Sequence, residues 1–444
     1  MSRFACHLLG AALAGTLVAG SAAAQLVPSL PLPSVALPVP VGNVPVGGPV
    51  LQDVLNQPQT QQVIHPTLDT VSGLPNAVAE AGAPTLLELR RLRLQELIRE
   101  NRRELEADGR GQPVRRGVLV ALDPDPISLQ LAARAGFRPI GDFTDPALGM
   151  RTVQLAVPGR MSARDALKRL ARAAPQLQAD YDHLFEPAGS ALAPLHAALA
   201  ATAGIAGGRV IGMVDGGVAS HPSLAGARIE QNGFAGRPQP TGHGTAVASL
   251  LVGNQGPFRG AAMGAQLYVA DVYGGNRAAG SATAIVKALG WLAGHRAQVI
   301  SISLIGPSNK LVQRAIQIVQ SRGIQVVAAV GNDGPAAPPQ YPASYGGVIA
   351  VTAVDARGRA LPEAGKAAHL DFAAPGADMA AALPGQGYAR VRGTSFAAPL
   401  AAARLLLAGS SGRLAAEARP GKGRVGRGIV CGACRIDPRA VGAK

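Results

Sequence analysis

Aromatic residues make up only 3% of the 444 residues, with a single tryptophan. A core cannot be built around large rings and must be filled by Ala, Val, Leu and Ile, which the 48% hydrophobic fraction supplies. The length leaves room for two or three domains. Long apolar runs are also missing. Leu8–Val18 is too short to span a bilayer, 26–50 is broken by prolines, and Phe396–Ala408 reads as a short buried helix. No stable membrane span is therefore expected in the mature chain. Acidic residues are sparse, 27 against 42 basic, for a formal net charge of +15. The basic residues are dispersed except at Arg90–Arg103 and Arg419–Arg427, and no nucleic-acid motif accompanies them, so no nucleic-acid partner is expected. No acidic loop reads as a calcium site, and no metal or other cofactor is implied. There are three cysteines. Two of them, Cys431 and Cys434, form one Cys-x-x-Cys, which falls short of the roughly four ligands of a zinc site and lacks a thioredoxin-like context.

The N-terminus has the pattern of an export signal over 1–24: Arg3 and His7, the apolar run, then small residues ending at Ala24. Its removal takes Cys6 with it and implies secretion or a periplasmic location, where Cys431–Cys434 is expected as a local disulfide with free thiols the alternative. Residues 25–82, rich in Pro, Gly and Val, read as an extended linker. A charged helix is expected over 83–110, started by the capping box Thr85…Glu88 and exposed to solvent. Residues 114–186 read as a compact α+β unit, with strands at 116–122, 152–157 and 179–185 and helices at 127–135 and 162–173. From about 188 to 444, apolar strands at 209–214, 265–272, 298–304, 324–330 and 348–354 alternate with helices at 245–252, 281–295 and 309–322. That pattern implies a mostly parallel, doubly wound α/β sheet, whose sites form at the carboxyl ends of its strands.

Three motifs fall at such ends: Asp215 in Val-Ile-Gly-Met-Val-Asp-Gly-Gly, His243 in Gly-His-Gly-Thr, and Ser395 in Gly-Thr-Ser-Phe-Ala-Ala-Pro. A serine hydroxyl needs a base to take its proton, and the base needs a partner to fix its tautomer. Ser395 is the candidate nucleophile, His243 the acid/base and Asp215 the orienting acid. A helix following Ser395 turns its N-terminal N–H groups toward developing negative charge, and Pro399 is expected in that helix's first turn. Taken singly each residue is more commonly a turn, surface or capping residue, but the chain order Asp…His…Ser is one of the known triad orders.

Together these motifs resemble the subtilisin-like serine peptidase (subtilase) family over roughly 205–410. The resemblance implies a secreted serine endopeptidase acting on polypeptides through an acyl-enzyme. It makes Asn332, in Val-Val-Ala-Ala-Val-Gly-Asn-Asp-Gly, an oxyanion donor together with the Ser395 N–H. It also implies a substrate strand laid along Ser303, Leu304 and Gly306, with Ala329 and Gly331 lining the primary specificity pocket and Gln340 at its base. The α+β unit resembles the ferredoxin-like propeptides of the family, which makes the chain's own propeptide a partner, with processing expected between about Phe185 and Ala203. A catalytically idle binding protein and a peptide acyl-transferase or cyclase are the alternatives. Some positions depart from the family pattern. Asp215 is followed by Gly216-Gly217 rather than a hydroxyl residue and Gly, which leaves the acid less firmly held. Gly260-Ala-Ala-Met263 replaces Gly-Val-Ala-Pro, and Ile305 interrupts the cleft edge, where it is expected to crowd the substrate or reshape the edge.

Overall fold

The computed structural model describes residues 85–191, 204–385 and 387–443. The chain divides into two units, Met1–Thr60 and Gln61–Lys444, and every described residue belongs to the second. The expected export signal and Pro-rich segment lie outside the described residues.

Helix α1 (Leu86–Glu100) starts at the expected capping box: Glu88 N–H donates to the Thr85 hydroxyl, and Thr85 N–H donates to the Glu88 carboxylate. It is shorter than expected, because the chain turns at Asn101 into strand β1 (Leu105–Ala107). Nor is it solvent-exposed all round, since Arg90 and Leu94 are buried. Strands β2 (Pro113–Leu122), β3 (Arg138–Asp145), β4 (Met150–Ala156) and β5 (Ala179–His183) join β1 in one antiparallel sheet, ordered β1-β2-β4-β3 with β5 on β2. Helices α2 (Pro126–Arg134) and α3 (Ala163–Ala173) complete this α+β unit. Strand β3 has no expected counterpart; it is an outer strand, largely exposed and carrying Pro139 and Gly141, so no apolar alternation marks it. Two short strands follow, β6 (Glu186–Pro187) and β7 (Gly189–Ala191).

The larger sheet has seven parallel strands: β8 (Val210–Asp215), β9 (Arg228–Gly233), β10 (Gln266–Asp271), β11 (Val299–Ile302), β13 (Gln325–Ala329), β14 (Ile349–Val354) and β15 (Phe372–Pro375), ordered β9-β10-β8-β11-β13-β14-β15. Between β11 and β13 a short strand β12 (Leu304–Ile305) leaves the sheet. Helices α4 (Gly242–Val252) and α7 (Thr394–Ala408) cover one face and α5 (Ala282–Gly294) and α6 (Lys310–Ser321) the other, each face with its own apolar layer. This is the expected doubly wound architecture. α7 is rich in alanine and buried almost throughout, so small side chains let it lie close under β11, β13, β14 and β15. Strands β16 (Met379–Ala382) and β17 (Tyr388–Gly393) form a hairpin that leads directly into α7. The tail after Gly421 closes the domain: Val430 N–H donates to Ala373, and Ile436 packs in the core. Within it Cys431 and Cys434 are joined by a disulfide.

The α+β unit sits on the N-termini of α5 and α6. The Asp182 carboxylate accepts from Thr283 N–H and that of Asp180 from Lys310 N–H, each at 2.9 Å. The first N–H groups of a helix have no partner within it and so attract a carboxylate, although complete burial outweighs this at Asp182 and pushes its pKa up. Asn309, the cap of α6, also donates to the carbonyl of Tyr181 at 2.9 Å.

Candidate active site

Asp215 is the last residue of β8, and its carboxylate is buried. His243 is the second residue of α4 and presents Nδ1 to Asp215 Oδ1 at 2.8 Å. The same oxygen accepts from Gly216 N–H at 2.7 Å. Asp215 is held through Oδ1 alone: its Oδ2 is buried without a hydrogen-bond partner, and among the described residues no hydroxyl reaches it, not even that of the neighbouring Thr241. The Thr241 hydroxyl caps α4 by accepting from Gly244 N–H, and it occupies the space beside Gly216, where a β-carbon would lie 2.4 Å from Thr241 Oγ1. The Thr241 side chain thus fills the space that a side chain at 216 would need, while its hydroxyl bonds to Gly244 and Gly217 rather than to Asp215. Of the two glycines around His243, only Gly244 is sterically required: a β-carbon on it would meet the carbonyl oxygen of Gly216 at 2.3 Å, whereas Gly242 has open space.

Ser395 is the second residue of α7, where its N–H has no acceptor within the helix. Gly393, with φ of +139°, turns the strand into the helix, and no side chain caps it. Pro399 falls in the second turn rather than the first, so it withholds an N–H from the Ser395 carbonyl. The Ser303 hydroxyl fills that gap, donating to the Ser395 carbonyl at 2.9 Å. Ser395 Oγ and His243 Nε2 are both buried and without a hydrogen-bond partner, and the His243 ring lies 5.4 Å from that of Phe396.

The segment 184–189 runs through this site as an extended strand. Phe185 N–H donates to Gly280 at 2.8 Å on one side, while on the other β6 pairs antiparallel with β12, Pro187 opposite Leu304 and Glu186 opposite Ile305. Ala188 N–H donates to the Ser303 carbonyl at 2.9 Å. Phe185 is fully buried against Gly306, where a β-carbon would come within 2.5 Å of its ring. Tyr273 donates its hydroxyl to the Phe185 carbonyl at 3.0 Å; burial and the nearby Asp215 charge push that phenol well above its ordinary pKa, so it stays a donor. The Ala188 carbonyl accepts from the Asn332 side-chain amide and from the Thr394 hydroxyl at 3.4 Å. Asn332 is itself held by Thr394 N–H donating to its Oδ1 at 3.0 Å. Gly189 follows, so close to Ser395 that a β-carbon on it would lie 1.9 Å from Oγ.

Asp215, His243, Ser395, Asn332, Ser303, Leu304 and Gly306 are thus brought together. Gly331 and the buried Gln340 lie side by side, a β-carbon on Gly331 falling 3.4 Å from Gln340 Cγ, while Ala329 ends β13 in the core. The Gln340 amide donates to the Pro338 carbonyl at 2.7 Å. Ile305 does not break the cleft edge; it is buried beside Gly331 and keeps register with Glu186. Met263 pairs with Ile205 in a two-residue parallel bridge. Thr241, Tyr273 and Phe185 fall outside the quoted motifs, and Thr394 lies within the Ser395 motif without a role of its own there; the hydroxyls before His243 and Ser395 are the available signal.

A further contact comes from α1. Arg90 Nε donates to Asp333 Oδ2 at 2.9 Å and Arg93 Nη2 to Asp333 Oδ1 at 3.0 Å, and the same Nη2 reaches Glu186 Oε2 at 3.4 Å. Although burial disfavours its charge, the two carboxylates raise the pKa of Arg93 above its ordinary value.

A model of the subtilase family matches residues 206–412. Subtilisin Savinase of Lederbergia lenta is 34% identical over 194 residues, covering 43% of this chain and 71% of that one. Thermitase of Thermoactinomyces vulgaris is 35% identical over 221 residues, 48% of this chain and 78% of its own. Among solved structures, fervidolysin of Fervidobacterium pennivorans, a keratinolytic enzyme related to subtilisin, superposes with a TM-score of 0.60 at 19% identity, over 72% of this chain and 61% of that one, which is a likeness of fold. With a parallel seven-stranded sheet and relatives at this identity and coverage, the chain belongs to the subtilase family of serine-type endopeptidases.

Proposed function

We propose that the chain is a secreted zymogen that hydrolyses polypeptides through an acyl-enzyme, with residues up to Ala188 acting as its propeptide and first substrate. The observation that carries this reading is the Ala188–Gly189 peptide bond. Its carbonyl oxygen accepts from the Asn332 amide, and its Gly189 side abuts Ser395 Oγ.

In this reading Ser395 Oγ attacks the Ala188 carbonyl carbon while His243 Nε2 takes its proton. The oxygen of the tetrahedral intermediate is held by Asn332, Thr394 and the Ser395 N–H. The C–N bond then breaks, and His243 returns the proton to the departing Gly189 amine. Water, deprotonated by the same imidazole, cleaves the Ser395 ester. Asp215 holds Nδ1–H, fixing the tautomer that leaves Nε2 free to accept, and offsets the imidazolium charge. Oligopeptide substrates follow the path of 184–188 by adding a strand beside Leu304. The Gly331–Gln340 contact supports Gln340 as a polar wall of the pocket beyond the residue before the scissile bond. The disulfide fits an oxidising compartment.

The test is fluorophosphonate labelling with intact-mass and N-terminal analysis. Wild type is expected to label and to yield a product beginning at Gly189, while Ser395→Ala does neither. Asn332→Ala is expected to lower kcat roughly 100- to 1,000-fold with KM little changed, a magnitude taken from subtilisin itself. Absence of labelling in wild type, or a product starting elsewhere, would defeat the reading.

A further inference from the structure

We propose that Asp333 forms a cation-binding subsite on the rim of the substrate cleft. It is filled in cis by Arg90 and Arg93, and once α1 has left it is offered to a basic side chain at the third residue before the scissile bond. The inference rests on the endopeptidase and propeptide readings above.

Both carboxylate oxygens of Asp333 are used, and both partners come from α1. Arg90 is steadied in turn by Gln112 of the α+β unit at 2.9 Å. Leu86, also from α1, covers the neighbouring Gly334, where a β-carbon would lie 3.0 Å from it. Among the described residues, the side chains that pair with Asp333 and cover Gly334 therefore belong to the part of the chain that cleavage after Ala188 separates. Nearby, Arg392 is committed to Glu363 at 2.6 Å and offers no replacement. Removal of α1 leaves an anionic carboxylate next to Asn332, and an unpaired charge of this kind favours a counter-ion or water.

The position that faces it is marked by Glu186, third before the Ala188–Gly189 bond. Its carboxylate and that of Asp333 share the Arg93 Nη2 atom. Two carboxylates that close repel unless a cation lies between them. Arg93 thus makes a glutamate tolerable in the self-strand at a place where the free cleft disfavours one. The same relation disfavours rebinding of the cleaved strand after α1 departs, and it favours Arg or Lys in a substrate from another protein. Arginine fits best, because its planar fork is matched to a carboxylate.

The experiment uses the self-processed wild-type enzyme and three peptides that copy 185–189, Phe-Xaa-Pro-Ala-Gly, with Xaa as Arg, Gln or Glu. At low salt kcat/KM is expected to be about two- to fivefold higher for Arg than for Glu, with Gln between, as for a solvent-accessible ion pair. The ratio is expected to fall toward one in ~1 M salt, where the screening length is about 3 Å, and in Asp333→Asn. The salt series on wild type keeps the test independent of whether that variant folds. Equal cleavage of all three peptides, or a ratio that salt and Asp333→Asn leave unchanged, overturns the subsite alone. Failure to cleave any of them, together with absent fluorophosphonate labelling, overturns the endopeptidase reading and the subsite with it.

Discussion

The hydroxyl of Ser303 donates to the main-chain carbonyl of Ser395 at 2.9 Å, the carbonyl that Pro399 leaves without a helical donor. A proline inside the helix that carries the nucleophile is thereby accommodated by a residue of the cleft edge. Ser303 serves both surfaces at once: its carbonyl receives Ala188 N–H, and its side chain fixes the first turn of α7. Ser303→Ala is expected to leave a buried carbonyl unpaired and to lower stability by about 1–3 kcal/mol. Denaturant unfolding in a Ser395→Ala background measures this without self-cleavage, and an unchanged midpoint would show that the bond contributes nothing.

Gly216 and Thr241 make a second prediction, which runs against simple analogy with relatives. Introducing a hydroxyl residue after Asp215 places a β-carbon 2.4 Å from Thr241 Oγ1. Gly216→Ser is therefore expected to reduce activity and to cost roughly 1–3 kcal/mol through overpacking. Combining it with Thr241→Ala relieves the clash but removes the cap of α4. Stability measurements on the two single variants and the double variant separate these effects; a Gly216→Ser enzyme with higher kcat would refute the packing argument.

Gly189 bears on processing. Any side chain there must displace Ser395 Oγ, since a β-carbon would lie 1.9 Å from it. Gly189→Val is expected to slow self-processing roughly 100-fold, the scale of an ångström-sized misplacement of reacting atoms. Its effect on a mature enzyme assayed with added peptide should be small. Time-resolved intact-mass analysis of the full chain gives the rate, and processing at the wild-type rate would place the scissile bond elsewhere.

Acid should weaken the α+β unit through Asp108. Burial by itself raises the pKa of this carboxylate, but hydrogen bonds from His183 and from the N–H groups of Gln112 and Arg110 outweigh it and bring the pKa below its ordinary value. A carboxylate depressed on folding adds stability above its unfolded pKa, near 3.9, and loses it as pH falls through the folded value. Asp108→Asn is expected to be less stable than its parent at pH 6–7, with the gap closing below about pH 4. Unfolding midpoints from pH 3 to 7 in the Ser395→Ala background check this; a gap independent of pH would assign the loss to packing.

Much of this was legible in the chain because the parallel strands are buried on both faces and so read as unbroken apolar runs, while the helices announce themselves by their caps. Helices α5 and α6 begin at the expected places, capped by Ser281 and Asn309. Motifs at strand and helix ends located Asp215, His243, Asn332 and Ser395. Strand β3 was not legible because its residues face water and follow no apolar alternation. The charged α1 reads as a solvent helix, since the carboxylates paired with Arg90 and Arg93, those of Asp333 and Glu186, lie 93 to 243 positions away in the chain.

The sequence by itself determined the family, the order of elements and which residues carry the candidate chemistry, because those depend on local periodicity, caps and short motifs. Only the tertiary structure decided what surrounds them. Contacts between distant segments brought Thr241 into the space beside Gly216, set Ser303 against the carbonyl freed by Pro399, laid Ala188 under Asn332, and gave Asp333 to two arginines of α1. Each of these rests on atoms that meet only after folding, and no period or motif in the chain encodes such a meeting.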